Sequence, residues 1–129
     1  MSQETRSLQE LQEEFGARVQ KGEFVEVMED FYADEVFQVE GNGERREGKA
    51  AIINFEKEFL TQVAAFNGVE VRSLAVASDD GQGNGTTLAE YSIDADLKGG
   101  KGFKPEQVQV SQWSKGKIVA IRYYYAPSF

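Results

Sequence analysis

Carboxylates, tyrosines and side-chain amides are the groups that could carry chemistry in this sequence. Its 129 residues include 22 acidic residues and five tyrosines, but no histidine and no cysteine. Histidine is the commonest general base at neutral pH and the commonest metal ligand, and cysteine supplies thiolate nucleophiles and disulfides. Any catalysis must therefore use a carboxylate, a tyrosine hydroxyl, an amide or a lysine.

A row of polar side chains alternates along one predicted strand. One face of this segment carries Gln107, Gln109, Ser111 and Trp113, and the other carries Val108 and Val110. If the polar face closes on helices, it lines a cavity rather than a dry core. If the valines face the core, the amides face water. Strand parity alone leaves both interpretations open, because a shift of one residue exchanges the two faces.

A second polar segment, Asp80–Gly85, has the composition of a calcium-binding loop without its spacing. The third position of such a loop would be Gln82 and the twelfth would be Tyr91, and an alternating strand follows where a helix is required. Its glycines also do not open a helix, as the glycines of a phosphate-binding loop would. We therefore expect the chain to use no metal and no cofactor.

The elements that must position these groups are helices first and strands afterwards. Ser7 and Glu10 form a predicted capping box, and Gly22 ends this first helix. A short second helix and a third helix from about Lys49 to Val63 follow. Each helix has one apolar face, and the residues predicted to be buried there are Leu8, Leu11, Phe15, Val19, Phe24, Val27, Met28, Phe31, Ile52, Phe55, Phe59 and Val63.

Strands make up the rest of the chain. Alternating residues predict strands up to Leu97, from about Phe103 to Trp113 and from Lys117 to Tyr125. The polar loop Ser78–Gly85 and glycine-rich turns separate them. Helices followed by antiparallel strands predict an α+β domain with the helices on one side of a curved sheet.

Length and charge limit the classes of function. A chain of 129 residues fits one domain, 1–129, with a core from about 7 to 126. The net charge of −8 argues against nucleic acid as a partner, because phosphates require a basic surface. Residues 1–12 are polar, so we expect no signal peptide, no membrane association and a cytoplasmic location.

Three groups of residues together resemble a known family. They are the segment Phe31–Glu35 with the short strand Val36–Glu40, the helix opening Gly48–Ile52, and the segment Trp113–Ile118 with the strand end Tyr123–Tyr125. In this order they resemble the SnoaL-like branch of the nuclear transport factor 2-like superfamily, which includes the ketosteroid isomerases. The resemblance runs from about Leu8 to Tyr125. It implies a cone-shaped α+β barrel, in which three N-terminal helices pack on a curved, mostly antiparallel sheet around an apolar pocket.

The resemblance also implies a catalytic position. In ketosteroid isomerases a catalytic aspartate ends the short strand after the tyrosine–alanine–aspartate motif, and ungapped counting from Tyr32 brings Glu40 to this place. With apolar neighbours its carboxylate would be desolvated and could act as a base; on the other interpretation it is an ordinary solvated acid before the turn. The family's two oxyanion-hole positions hold Phe15, which cannot donate a hydrogen bond, and Gln109, a neutral amide. Steroid isomerisation itself is therefore not expected.

The function implied by the resemblance is the binding of a small apolar or polyketide-like molecule. An enzymatic form would be an isomerase- or cyclase-type reaction that uses the carboxylate of Glu40. The residues predicted to line the pocket are Phe15, Tyr32, Gln38, Phe55, Phe59, Tyr91, Gln107, Gln109, Ser111, Trp113, Ile121, Tyr123 and Tyr125. Among them, the tyrosines could donate hydrogen bonds to a ligand or form aromatic walls.

The alternative function is a non-enzymatic, dimeric binding or adaptor module, like the nuclear transport factor itself. In either case we expect a homodimer, because an uncovered apolar outer face of the sheet is unfavourable in water. The residues expected on that face are Val108, Val110, Arg122 and Tyr124.

Overall fold

The structure of the protein, a computed structural model, describes residues 6–125. The single-domain prediction also covers residues 1–5 and 126–129, which lie outside the described residues. The helices are α1 (Leu8–Gln20), α2 (Phe24–Phe31) and α3 (Lys49–Leu60). The strands are β1 (Tyr32–Val39), β2 (Arg45–Glu47), β3 (Val63–Asp79), β4 (Gly85–Leu97), β5 (Gly102–Phe103), β6 (Glu106–Ser114) and β7 (Lys117–Tyr125).

The strands form a seven-stranded sheet with the order β2-β1-β7-β6-β4-β3, and β5 pairs with β4. The pairing of β1 with β7 is parallel, and the other described pairings are antiparallel. The register between β3 and β4 shifts at four places, and bulges of this kind bend and twist a long strand pair. The sheet is therefore curved and mostly antiparallel but does not close. Together with the three helices it confirms the predicted α+β class.

The predicted start and end of α1 are confirmed. The Ser7 hydroxyl accepts a hydrogen bond from the Glu10 backbone N–H, and the Glu10 side chain accepts one from the Ser7 backbone N–H. Two of the free N–H groups at the helix start are satisfied in this way. At the other end, Gly22 has φ = 86°, a left-handed conformation that suits glycine after a helix.

The third helix differs from its prediction in length and in the face that it buries. It ends at Leu60 rather than near Val63, because the Thr61 hydroxyl donates to the Glu58 carbonyl at 2.6 Å and Val63 pairs with Leu97 in the sheet. Phe55 is 41% exposed, so its prediction as a buried residue is wrong. The buried residue of α3 is Ile52, which precedes Phe55 by three residues.

The strand predicted from Phe103 to Trp113 is divided in two. Phe103 belongs to β5, and β6 begins at Glu106 after Pro105, which has no N–H to contribute to a ladder. The predicted loop Ser78–Gly85 is shorter than expected, because β3 continues to Asp79 and β4 begins at Gly85.

The core lies between the helices and one face of the sheet, which we call the inner face. Its fully or almost fully buried apolar residues are Leu8, Leu11, Phe15, Val19, Val27, Met28, Phe31, Tyr32, Val36, Ile52, Trp113, Ile118 and Ile121. In the part of the chain that is described, no helix has the length and apolar character required to cross a membrane.

Candidate functional site

The polar row of β6 faces inward. Gln109, Ser111 and Trp113 are buried, whereas Val108 and Val110 are only partly buried. The amide nitrogen of Gln109 donates to the Ser111 hydroxyl at 3.1 Å. Of the two interpretations left open by the sequence, the burial of these residues supports the first, in which the inner face is polar along β6. That this row lines a cavity stays a prediction.

A hydrogen-bonded chain connects this row to α1. Trp113 Nε1 donates to Thr87 Oγ1 at 2.9 Å, and the Thr87 hydroxyl donates to Gln12 Oε1 at 2.7 Å. Gln12 Nε2 in turn donates to the Tyr91 hydroxyl at 3.3 Å. All four side chains are buried, so each bond satisfies a polar group that has no access to water. The chain fixes the position of α1 over β4 and β6.

Replacing Thr87 by valine is expected to destabilise the fold by about 2–3 kcal/mol. Valine has nearly the same shape but leaves the Gln12 carbonyl and the Trp113 N–H without their shared partner. The free energy of unfolding, measured by urea denaturation, would report the loss. The matched control is Thr86→Val on the opposite face of the same strand, for which we expect a change within about 0.5 kcal/mol. Equal losses in the two variants would contradict this role for Thr87.

Glu40 lies one residue beyond β1, at the rim of the inner face. Its parity with Val36 and Gln38 is as predicted, since both of these are buried. The surroundings are less apolar than expected, because Arg46 Nη1 contacts Glu40 Oε1 at 2.9 Å and Gln38 Nε2 donates to the same oxygen at 2.8 Å. Arg46 reaches Glu40 because β2 folds back along β1, with Arg46 paired to Gln38. The Glu40 side chain is 20% exposed, so it is neither fully enclosed nor fully solvated.

A second carboxyl group, that of Glu56 on α3, lies close to the first. Burial raises the pKa of Glu56 to about 7, and the negative charge of Glu40 adds to the effect. Among residues 6–125, no cation or hydrogen-bond donor offsets this shift. Such a carboxyl is about half ionised at neutral pH, which allows it both to accept and to donate a proton.

Two tyrosine hydroxyls accompany the carboxyl groups. Tyr32 lies close to Tyr123 and within electrostatic range of both Glu56 and Glu40. Burial raises the pKa of each tyrosine well above its ordinary value, and the nearby carboxylates raise it further. Both hydroxyls therefore stay protonated at neutral pH and can act as hydrogen-bond donors. We call Glu40, Glu56, Tyr32 and Tyr123 the glutamate–tyrosine cluster.

The remaining predicted pocket residues lie in three different places. Phe15 stacks on Tyr32 with a ring-centroid distance of 6.5 Å, and Ile121 is fully buried beside Gln38 in the sheet. These residues lie next to the cluster. Tyr91 and Gln107 face each other on β4 and β6, where Tyr91 ends the hydrogen-bonded chain from Trp113.

The aromatic residues predicted around Glu40 are more dispersed. Arg46 lies over the Phe55 ring at 3.4 Å, so Phe55 forms part of the rim. Phe59 packs against Phe103, with ring centroids 4.9 Å apart. Tyr125 is partly exposed, and its ring lies against Gly41, where an added Cβ would approach it to 2.7 Å.

Sequence reasoning missed Glu56 and Arg46. Glu56 follows the buried Ile52 by four residues and precedes Leu60 by four, so it lies on the same helical stripe. Its position as the single carboxylate in an apolar stripe was the signal in the sequence that could have identified Glu56. The contact of Arg46 has no comparable signal, because it depends on the hairpin that pairs β2 with β1.

The loop Asp80–Asn84 is held by its own side chains. The Asp80 carboxylate accepts hydrogen bonds from the Gln82 and Asn84 backbone N–H groups at 2.8 and 3.2 Å, and from the Asn84 side chain at 2.8 Å. This pattern is that of a polar turn. Across residues 6–125, no group of three or more acidic side chains is placed to hold a metal ion.

Several solved structures have a similar fold. An isomerase proposed for Bacillus subtilis has 21% identity and a TM-score of 0.72, covering 98% of this chain and 91% of its own. A proposed SnoaL-like polyketide cyclase from Mesorhizobium loti has 19% identity and a TM-score of 0.70, covering 93% of this chain and 100% of its own. A protein with a ketosteroid isomerase-like fold from Catenulispora acidiphila, in complex with trimethylamine, has 15% identity and a TM-score of 0.65, covering 81% and 76%. At these identities the likeness establishes the fold alone.

No curated protein matches the sequence. The family model of the SnoaL-like domain matches residues 6–125, which is the whole described part of the chain. The match agrees with the curved sheet, the three helices and the similar solved structures. The chain therefore belongs to the SnoaL-like domain family and has the nuclear transport factor 2-like, ketosteroid isomerase-like fold.

Proposed function

We propose that this protein binds a small apolar or polyketide-like carbonyl compound at the glutamate–tyrosine cluster and moves a proton next to the carbonyl group. The observation that carries the proposal is Glu56, a partly buried carboxyl whose pKa is raised to about 7 beside two protonated tyrosines. Carboxyl groups shifted in this way are enriched at functional sites, because burial without a partner destabilises the fold. The proposed isomerase and polyketide cyclase with this fold are consistent with carbonyl chemistry, as an analogy of fold only.

The proposed step uses the protein's own groups. The Glu56 carboxylate accepts the proton from the carbon next to the carbonyl, and the C–H electron pair forms an enolate. The enolate oxygen accepts a hydrogen bond from the Tyr32 or Tyr123 hydroxyl. This hydroxyl replaces the donors that ketosteroid isomerases carry at the positions held here by Phe15 and Gln109. The neutral Glu56 then returns the proton to the same or another carbon. The step needs no metal or cofactor, since both the donor and the acceptor of the proton are side chains.

Glu40 has two possible roles in this scheme. As the carboxylate predicted from the sequence, it could itself accept the proton. Its ion pair with Arg46 favours the other role, in which the charge of Glu40 raises the pKa of Glu56 and Arg46 holds the rim. The two roles predict different effects of Glu40→Gln on the rate of proton exchange.

The proposal is tested by proton exchange and by ligand retention. Freshly purified protein is examined by native mass spectrometry for a retained small molecule. The protein is also incubated in D₂O with 4-methoxyacetophenone and with small cyclic ketones, and loss of the α-proton signals is followed by ¹H NMR. We expect exchange faster than in buffer, or a retained carbonyl compound. The absence of both faster exchange and a retained molecule would contradict the proposal.

A second candidate function rests on the outer face of the sheet. Val108 pairs with Tyr124, and Val110 pairs with Arg122, so these four side chains form a continuous patch. Tyr124 is 58% exposed, and a shallow depression of about 330 Å³ lies beside it and Val108. This outer patch suits a non-enzymatic dimeric or adaptor module, in which the sheet binds a partner. It is also compatible with an enzyme that is a homodimer.

We expect a second copy of the chain to cover the outer patch. Burying its apolar surface contributes about 25 cal/mol per Å². Sedimentation at tens of micromolar should therefore give about twice the 14.4 kDa mass of one chain, and Tyr124→Lys should shift the protein toward the monomer. Val25→Lys, at a partly buried position on α2 away from the patch, is the control. A monomeric wild-type protein would contradict the homodimer.

A further inference from the structure

Gln38 contains a buried acceptor without a partner. The residue is 5% exposed, and its Oε1 atom has no hydrogen-bond partner among the described residues. Buried polar atoms are almost always satisfied, and leaving one unsatisfied costs about 1–3 kcal/mol. An unsatisfied buried acceptor next to a candidate site indicates that something other than the protein satisfies it.

The orientation of the Gln38 amide is determined by Glu40. Gln38 Nε2 donates to Glu40 Oε1 at 2.8 Å, and Arg46 contacts the same carboxylate oxygen at 2.9 Å. If the amide were rotated by half a turn, its carbonyl oxygen would face the carboxylate oxygen, and two acceptors would repel each other. The carbonyl therefore points away from Glu40.

Gln38 lies beside a polar rim. It precedes Glu40 by two residues, and the Glu40 and Arg46 side chains at the rim are 20% and 15% exposed. The polar groups thus extend from the solvent at the rim to the buried amide. Neither Tyr32 nor Tyr123 donates to Gln38 Oε1, because this atom has no hydrogen-bond partner among the described residues. The Gln38 carbonyl is left for a donor that enters from outside.

We propose that Gln38 selects ligands that carry an O–H group in addition to a carbonyl. The ligand hydroxyl donates to Gln38 Oε1, and its carbonyl oxygen accepts from a tyrosine of the cluster. The ligand class is then hydroxy ketones, enolised 1,3-dicarbonyl compounds and phenolic ketones. This inference rests on the proposed function, because it assigns the second polar contact of the same ligand.

The test compares two probes that differ in one hydrogen-bond donor. 4-Hydroxyacetophenone and 4-methoxyacetophenone share the ring and the ketone, but only the former donates an O–H. Their dissociation constants are measured by ¹H–¹⁵N NMR titration, at a slightly acidic pH at which the phenol is neutral, with the Gln38 side-chain amide signals as the local probe. We expect the wild-type protein to bind the hydroxy compound about 5- to 10-fold more tightly, which corresponds to about 1 kcal/mol for one hydrogen bond.

The Gln38→Met variant removes the acceptor and keeps a straight apolar side chain of similar size. We expect it to bind the two probes equally, and a thermal melt checks that it is folded. Equal binding of the two probes by the wild-type protein overturns the inference. This result is expected if a water molecule is the usual partner of Gln38. A hydroxyl preference that persists in Gln38→Met also overturns it.

The outcomes separate this inference from the proposed function. If the wild-type protein exchanges ketone protons but shows no hydroxyl preference, only the role of Gln38 is wrong. If neither probe binds and no exchange occurs, both proposals are wrong. The comparison of probes on the wild-type protein does not depend on the folding of any variant.

Discussion

Replacing Glu56 by glutamine is expected to slow the exchange of ketone α-protons by about 10²–10⁴-fold, the usual contribution of a general base. Glutamine keeps the size of the side chain and cannot accept the proton. Since Glu56 is partly buried and no ion pair from residues 6–125 holds it, the substitution should leave the fold intact. The measurement is the ¹H NMR exchange rate in D₂O at equal protein concentrations.

The pH dependence of the same rate gives an independent check. A base must be ionised to accept a proton, so the wild-type rate should rise with pH and level off above about pH 7, the pKa of Glu56. Removing the charge of Glu40 by Glu40→Gln should move this midpoint to lower pH. The midpoint should still stay above the ordinary range of a glutamate, because burial is the larger cause of the shift.

The exposed Glu58 on the same helix provides the matched control, and Glu58→Gln should exchange at the wild-type rate. The roles of the two clustered glutamates are distinguished by comparing their variants. If Glu40→Gln loses the exchange and Glu56→Gln retains it, the base is the residue predicted from the sequence and the assignment to Glu56 is wrong. If both variants exchange at the wild-type rate, the cluster is not the site of proton transfer.

Local signals were sufficient to predict most of the fold. The capping box at Ser7, the spacing of Leu8, Leu11 and Phe15, and the left-handed glycine at position 22 all depend on residues within one or two turns. The parity of β6 was open from the residues alone. The burial of Gln109 and Ser111 resolves it in favour of the polar inner face.

The candidate site was predicted less completely, because its contacts join distant parts of the chain. The pair Glu40 and Arg46 exists only when β2 folds back on β1, and neither residue carries a periodic signal. The predicted buried face of α3 correctly includes Ile52 but wrongly includes Phe55, which is 41% exposed. Glu56 was not among the residues predicted to be buried or to act chemically. The actual stripe through Ile52 and Leu60 includes it.

The free energy of unfolding is expected to depend on pH through the ionisation of Glu56. In the unfolded chain this glutamate has its ordinary pKa of 4.5, and in the folded protein burial raises the pKa to about 7. Below the lower value the carboxyl is protonated in both states and there is no penalty. As the pH rises between the two values, the unfolded state ionises first, so stability is lost, and the loss is complete above the folded pKa. The difference between the two pKa values corresponds to about 3 kcal/mol.

Glu56→Gln should therefore be more stable than the wild-type protein by about 3 kcal/mol at about pH 8.5, and should differ little from it at about pH 4. The free energies of unfolding come from urea denaturation at the two pH values, and taking the difference between variant and wild type cancels the titration of the other acidic groups. Glu58→Gln, on the exposed side of α3, should show the same small difference at both pH values. A Glu56→Gln difference that does not grow with pH would mean that the carboxyl is solvated in solution, and the main physical support for Glu56 as an acid–base group would be lost.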